Sequence, residues 1–149
     1  MKKLVKIMIS VLVAILVIGG GRFFYLGSQS TQMNPKLGIV DERLTQCPNK
    51  PNCVSSFDSE EQYIEPLITQ KGLVEIKEII LKLDNVKLIS QSESYLHFTF
   101  VSSIFSFTDD LEIYFVDKKY HIRSSSRVGH SDLGANRKRV EKLRDILSK

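Results

Sequence analysis

The chain has 149 residues, 42% of them hydrophobic and 26% charged, and a formal net charge of +4 at pH 7. The excess positive charge lies entirely in residues 1–26, which hold four basic and no acidic side chains: Lys2, Lys3, Lys6 and Arg22. The rest of the chain is balanced, so the basic composition gives no indication of nucleic-acid binding, and the length suits one domain behind the N-terminal segment.

Residues 1–26 predict a signal-anchor transmembrane helix. Residues Ile7 to Ile18 are apolar except for Ser10, and the span from Leu4 to Gly21, which includes Lys6, has 18 residues. As a helix it spans about 27 Å, close to the roughly 30 Å of a bilayer core. The excess of lysine before the stretch predicts a cytoplasmic N-terminus. A cleaved signal peptide is the alternative, with Gly19 and Gly21 as the small residues at the cleavage site.

This topology predicts a single-pass protein of the inner (cytoplasmic) membrane whose C-terminal part is extracytoplasmic (periplasmic). Residues 27–37, GSQSTQMNPKL, are small and polar and predict a tether. Residues 38–149 are then one extracytoplasmic domain. Its first part, residues 38–70, has scattered apolar residues and predicts an irregular, partly extended arm across the domain.

The two cysteines, Cys47 and Cys53, enclose Pro-Asn-Lys-Pro-Asn. A metal clip, a reactive pair and a disulfide are the three interpretations to compare. A metal site needs further ligands, and none lies nearby in the sequence. A redox motif has the tighter C-x-x-C spacing. Outside the cytoplasm thiols are oxidised, so we predict a disulfide, which closes a short loop and contributes about 2.4 kcal/mol by loop entropy.

The remaining elements predict an α+β domain in which an antiparallel sheet of about four strands carries two helices on one face. Helical periodicity begins near Gly72 and ends at Asp84-Asn85, and a last helix covers about 136–147. Alternating patterns predict the strands between these helices: residues 86–90, 95–101, 107–116 and 119–127.

A two-residue turn at Lys118-Lys119 is predicted to join the last two strands and to pair Phe115 with Ile122. This register places Asp110 opposite Arg127 on the face away from the helices. The other members of that polar face are His97, Glu112, Tyr114, His121 and Arg123.

Three segments resemble a bacterial and plastid family of unknown function, DUF1499. They are CPNKPNCVSS, FSFTDDLEI and IRSSSRVGHSDLGANRKRVEKLR, and the likeness extends from about Leu37 to Leu147. The resemblance implies one domain over this range. It implies no activity, ligand or catalytic residue, because the family has none assigned.

The first functional hypothesis is a membrane-anchored binding or scaffolding domain. It would contact an envelope protein or another envelope component and recognise an anionic group on it. Arginines and helix-start N–H groups bind phosphate or carboxylate well. The candidate residues lie on the polar sheet face and in the turn before the last helix: Asp110, Glu112, Arg123, Arg127, Ser131, Asn136 and Arg137. For that turn the alternative is a structural role, in which Ser131, Asp132 or Asn136 caps the helix.

The second hypothesis is a hydrolase that uses Asp109 or Asp110 as a base or metal ligand, with help from His97, His121 or His130. Neighbours on a strand face opposite sides, so the two acids meet one ligand only across a bulge; an ion pair for the inward Asp109 is the alternative. The histidines lack metal-ligand spacing, and we predict no metal and no cofactor. A third hypothesis is an assembly factor for a membrane complex that has no site of its own.

Overall fold

Helix α1 runs from Lys2 to Gln32 in the computed structural model, which describes residues 2–149. It is long and apolar enough to cross a membrane, a criterion that an N-terminal signal sequence also meets. Residues 27–32 belong to this helix, so the prediction that they form part of a tether was wrong. Their small side chains permit close helix packing instead of marking a flexible segment.

The predicted α+β class is confirmed, and the main sheet has five antiparallel strands, which lie in the order 53–55, 119–126, 108–116, 95–101 and 86–91. The predicted elements appear as α2 (Leu73–Leu81), β4 (Val86–Gln91), β5 (Tyr95–Val101), β6 (Thr108–Val116), β7 (Lys119–Ser126) and α3 (Ala135–Leu147). The arm adds elements that the sequence did not predict: β1 (Ile39–Val40), β2 (Arg43–Leu44), β3 (Cys53–Ser55) and a 3-10 turn at Glu60–Gln62.

One apolar core lies between the sheet and the helices α2 and α3. Alternate residues of β5, β6 and β7 contribute to it, as their period of two predicts. Residues that are fully or almost fully buried there are Ile76, Ile80, Leu96, Phe98, Leu111, Ile113, Ile122, Val140, Leu143 and Leu147. Burial of each such side chain contributes about 1.5–3 kcal/mol, so this core is the main source of stability.

The turn between β6 and β7 differs from the predicted one. Asp117 and Lys118 occupy its two central positions with φ of 51° and 61°. Two successive left-handed residues are typical of a type I′ turn, whose twist matches that of the flanking strands. Asn-Gly is the usual sequence at these two positions. The Asp-Lys sequence gave no such signal, so the predicted register was wrong by two positions, and Ile113 pairs with Ile122.

A shift of two leaves every side chain on its predicted face but changes its partner. Glu112 lies directly opposite Arg123, and Asp110 lies opposite Ser125 instead of Arg127. Arg127 therefore reaches Asp110 from the diagonal position.

The polar face of the sheet is covered by the arm. The backbone N–H of Gly38 donates to the Glu112 carboxylate at 2.8 Å, and Leu44 packs with Tyr95 and Tyr114. Leu44 is only 3% exposed. The sheet consequently has two buried faces, one apolar and one largely ionic.

Helix α1 is joined to the domain at Gly27 and Ser30. The Ser30 hydroxyl is buried and accepts the Thr108 N–H at 2.9 Å, at the start of β6. An added Cβ at Gly27 would lie 1.6 Å from the Phe105 carbonyl oxygen. Only glycine permits this contact between α1 and the loop before β6.

We expect Gly27→Ala to destabilise the joint between α1 and the domain. The new methyl group overlaps a backbone carbonyl, and such overpacking costs about 1–3 kcal/mol. Gly21→Ala is the matched control, because no atom lies within 4 Å of an added Cβ there. Thermal unfolding of the full chain in detergent should show a lower Tm for Gly27→Ala only. Equal Tm values for the two variants would contradict the close packing of Gly27 against the loop before β6.

Candidate functional site

Five ionisable side chains form an arm-face ion cluster beneath the arm: His97, Asp110, Glu112, Arg123 and Arg127. The Asp110 carboxylate, 2% exposed, accepts two hydrogen bonds from Arg127, each 2.8 Å long. Its Oδ1 atom also lies 2.8 Å from His97 Nε2. The planar fork of Arg127 matches the carboxylate, which makes this the strongest type of ion pair in proteins.

Arg127 also binds the end of α1. Its Nη1 atom donates to the Ser30 carbonyl at 3.3 Å and to the Met33 carbonyl at 2.6 Å. The last four carbonyls of a helix have no partner within the helix, and a cation near them is stabilising. Arg127 therefore links the ionic face of the sheet to the C-terminus of α1.

Glu112 is the second centre of the cluster and is 0% exposed. Its carboxylate accepts hydrogen bonds from three donors: the Gly38 N–H at 2.8 Å, the Tyr95 hydroxyl at 2.7 Å and Arg123 Nη1 at 3.0 Å. The buried Arg123 Nε atom has no partner in residues 2–149. Burial, reinforced by the Glu112 charge and hydrogen bond, raises the pKa of Tyr95, which keeps its hydroxyl a donor.

The pKa of Asp110 responds to two opposing effects. Burial alone would raise it, but hydrogen bonds from Arg127 and His97, together with their charge, hold the pKa below its ordinary value. Asp110 is therefore ionised at neutral pH. Its negative charge is paired with Arg127 inside the protein.

The arm is also held by a stack of three side chains. The Arg43 guanidinium lies 5.1 Å from the centroid of the Phe57 ring, and Phe57 stacks on His121 with the ring centroids 4.1 Å apart. Burial, together with the positive charges of Lys119 and Arg43, lowers the pKa of His121. His121 is thus a neutral packing partner with a hydrogen bond to the Ser56 hydroxyl.

The turn before α3 places an acid where an anion was predicted. Asp132 accepts the Gly134 N–H at 3.0 Å and the Asn136 N–H at 2.7 Å, so its carboxylate occupies the helix start. Ser131 accepts the Leu133 N–H at 3.2 Å within the turn. Ser131 and the N–H groups at the helix start, which were expected to bind an external anion, have partners within this turn instead.

Asn136 and Arg137 lie apart from the arm-face ion cluster. Asn136 is 1% exposed and bonds to the Ser124 and Ser126 hydroxyls and to the Asn52 carbonyl on the helix side of the sheet. Arg137 donates to the carbonyls of Glu61 and Tyr63, at 2.6 and 2.9 Å. The seven predicted binding residues are therefore distributed over separate places.

Asp109 and Asp110 face opposite sides of β6, as strand alternation predicts. Asp109 pairs with Arg139 of α3 at 2.6 Å on the helix side, whereas Asp110 lies under the arm. The ion pair expected for an inward Asp109 is confirmed. The two acids do not converge, and residues 2–149 contain no cluster of three or more His, Cys, Asp or Glu side chains suited to a metal ion.

The predicted disulfide joins Cys47 to Cys53, with their Cα atoms 5.7 Å apart. The loop that it closes is pinned from outside, since Gln62 Nε2 donates to the carbonyls of Pro48 and Lys50 at 2.6 and 2.9 Å. The loop thereby becomes a rigid wall beside the 3-10 turn.

This wall borders an edge groove of about 610 Å³, within the size range of small-ligand sites. Its other walls are the 3-10 turn and the start of α3. Ionisable side chains that line it are Lys50, Glu60, Glu61, His130, Asp132, Arg137 and Lys138. In the part of the chain that the structure describes, Lys50 and Lys138 form neither an ion pair nor a side-chain hydrogen bond.

The sequence prediction missed this groove except for His130 and Arg137. Lys50 lies at the tip of the proline-framed loop, and that position was the available signal for an exposed charge. Glu60 and Glu61 reach the groove only because β3 pairs with β7 and the chain after the 3-10 turn returns along β3, and that topology was not predicted.

The fold and these sites define a small α+β domain behind an N-terminal apolar helix. A protein-family model described as "Protein of unknown function (DUF1499)" matches residues 43–147. The chain belongs to this family, as the three sequence segments indicated. No curated protein and no solved structure matches the chain.

We expect Asp110→Asn to destabilise the fold in a pH-dependent way. At neutral pH the loss of the charge leaves Arg127 buried without its partner, which costs about 3–5 kcal/mol. Asp110 has a lowered pKa in the folded state, so its contribution is complete above the unfolded value of about 3.9 and disappears as the pH falls through the folded pKa.

The measurement is the free energy of unfolding of wild type and variant between neutral pH and the acid range. The difference should shrink below about pH 4, where the carboxyl of the unfolded wild type begins to take up a proton, and vanish once the pH is below the folded pKa as well. Asp145→Asn, at an exposed position on α3, is the control and should change little. A difference that stays constant with pH would contradict the assigned ion pair.

Proposed function

We propose that the protein is a single-pass, membrane-anchored extracytoplasmic binding module and that the edge groove is its ligand site. Residues 1–26 form the signal anchor in the inner membrane, and residues 38–149 form one domain on its periplasmic side. The observation that carries the proposal is the contrast between the two charged regions. The arm-face ion cluster is closed, whereas the edge groove holds unpaired charges that are open to a partner.

The anchor is supported by α1 and by the disulfide. The span is apolar on all sides, which suits lipid contact and not the interior of a soluble domain, where helices keep a polar face. The Cys47–Cys53 bond is typical of an oxidising compartment. The lysines that precede the span favour a cytoplasmic N-terminus.

The groove suits an anionic group on a larger envelope molecule. Lys50 and Lys138 supply two unpaired ammonium groups, and His130 lies in the same lining. Glu60 and Glu61 line the groove as well, so the ligand must place its anionic group near the lysines and a neutral or cationic part near these acids. Rigid walls favour such selectivity because little order is lost on binding.

The topology predicts the state of both thiols. In native full-length protein that has not been reduced, a thiol reagent should label neither Cys47 nor Cys53, and after reduction it should label both. A reporter fused after Lys149 should be active outside the cytoplasm, and the mature protein should retain residues 1–26 in a membrane fraction. Free thiols or a cytoplasmic reporter would remove the extracytoplasmic assignment; loss of residues 1–26 would identify a cleaved signal.

Binding at the edge groove predicts a ligand-dependent stability that requires the lysines. With glycerol 1-phosphate as probe at 100 times its Kd, binding adds about 2.7 kcal/mol. For a domain of this size that raises Tm by roughly 10 °C. The double variant Lys50→Ala/Lys138→Ala should lose this rise.

The matched control for that measurement is Lys87→Ala/Lys119→Ala, which removes two exposed lysines outside the groove lining, one on β4 and one at the start of β7. It should respond to the probe as the wild type does. An unchanged Tm of the wild type at saturating probe, or an equal rise in both double variants, would remove the edge groove as an anion site.

A further inference from the structure

Exposed apolar side chains gather at the end of the domain where α1 enters it. Ile104, in the loop 102–107, is 71% exposed, and Leu133, in the turn before α3, is 87% exposed. Single exposed apolar residues are common on proteins and need no explanation. These two require one because both lie near an apolar cleft beside α1. Leu133 lines the cleft, and the loop that carries Ile104 contributes Ser102 and Phe107 to its lining.

Aromatic contacts fix the height of this end along α1. The Phe105 ring lies 5.3 Å from the Phe23 ring and 5.9 Å from the Phe24 ring, and the Phe107 ring lies 6.2 Å from that of Phe23. Phe23 and Phe24 follow the predicted span by two and three residues. Aromatic side chains at that position sit at the level of the lipid headgroups. The loop 102–107 is therefore held at the membrane interface.

The rest of the domain extends away from that level. Further along α1, Ser30 and Thr31 contact Thr108, where β6 starts. From there β6 continues for nine residues, about 30 Å at the usual rise of a strand. Ile68 lies at the far end, since the Leu67 N–H bonds to the Tyr120 carbonyl beside the β6–β7 turn. Ile68 is 83% exposed, so it is a matched distant site for Leu133.

The cleft between α1 and the domain has a volume of about 340 Å³. Its walls are largely apolar, and Phe23 and Leu26 of α1 form one of them. Water gains little from an apolar cleft, whereas a lipid chain at the same height fills it favourably. Because Phe23 follows the predicted span by two residues, the cleft lies beside the end of that span.

We propose that this end of the domain, formed by Ile104, Leu133 and the cleft beside α1, docks into the interfacial layer of the bilayer that α1 crosses. The inference rests on the proposed membrane anchor and adds a second lipid contact made by the folded domain. The joint at Gly27 and the link through Arg127 hold the domain in this orientation. The docked end leaves the opposite end, with the β6–β7 turn, farthest from the membrane.

The chain contains no tryptophan, so one tryptophan at a time reports its own surroundings. The test compares Leu133→Trp and Ile104→Trp with Ile68→Trp in the full chain, reconstituted in phosphatidylcholine and phosphatidylglycerol vesicles. Lipids brominated close to the headgroup end of the acyl chain should quench the first two several-fold more than the third. All three positions are exposed. Circular dichroism and thermal unfolding are measured to check that each variant is folded.

Leu12→Trp, in the middle of the predicted span, separates the two proposals. If lipids brominated near the chain end quench Leu12→Trp while Leu133→Trp is quenched no more than Ile68→Trp, the docking is overturned and the anchor stands. If Leu12→Trp is not quenched, the anchor fails and the docking fails with it. A concentration-dependent shielding of Leu133→Trp in detergent without lipid would assign the surface to a second copy of the chain, which also overturns the docking.

Discussion

The Arg127 guanidinium joins three parts of the chain that are distant in sequence. It bonds to Asp110 on β6 and to the carbonyls at the end of α1, and those carbonyls precede the arm that covers both ions. Desolvation of two charges is costly unless geometry and further hydrogen bonds compensate for it. Here the bidentate contact, His97 and the helix end provide that compensation. The position of α1 relative to the sheet depends on this arrangement.

The arm closes the polar face of the sheet. A half-polar antiparallel sheet usually turns its polar face to water. In this protein the arm supplies a backbone N–H to Glu112 and an apolar residue, Leu44, to the tyrosines, so the face becomes a second interior. Its charges stabilise one position of the arm and have little freedom left to bind anything else. The unpaired charges are found instead at the edge of the sheet, beside the disulfide loop.

The fold was largely predictable because its elements have strong periodic patterns. The helices α2 and α3 and four of the five strands of the main sheet were found within a few residues, and the α+β class followed from them. The short strand β3 was not found, because three residues give no period and the strand exists only by pairing with β7. The β6–β7 register failed by two positions, since the left-handed turn at Asp117 and Lys118 lacks the usual glycine signal.

The sequence by itself determined the apolar N-terminal helix, the disulfide pairing, the family and the face on which each β6 and β7 side chain lies. These properties depend on local composition, on short loops and on a period of two. Only the tertiary structure decided that Glu112 and Asp110 are buried, that Gly27 and Ser30 belong to a packed helix and that Lys50 shares a groove with Lys138. Burial and convergence depend on contacts between residues that are dozens of positions apart, and a pattern within one segment carries no information about what covers it.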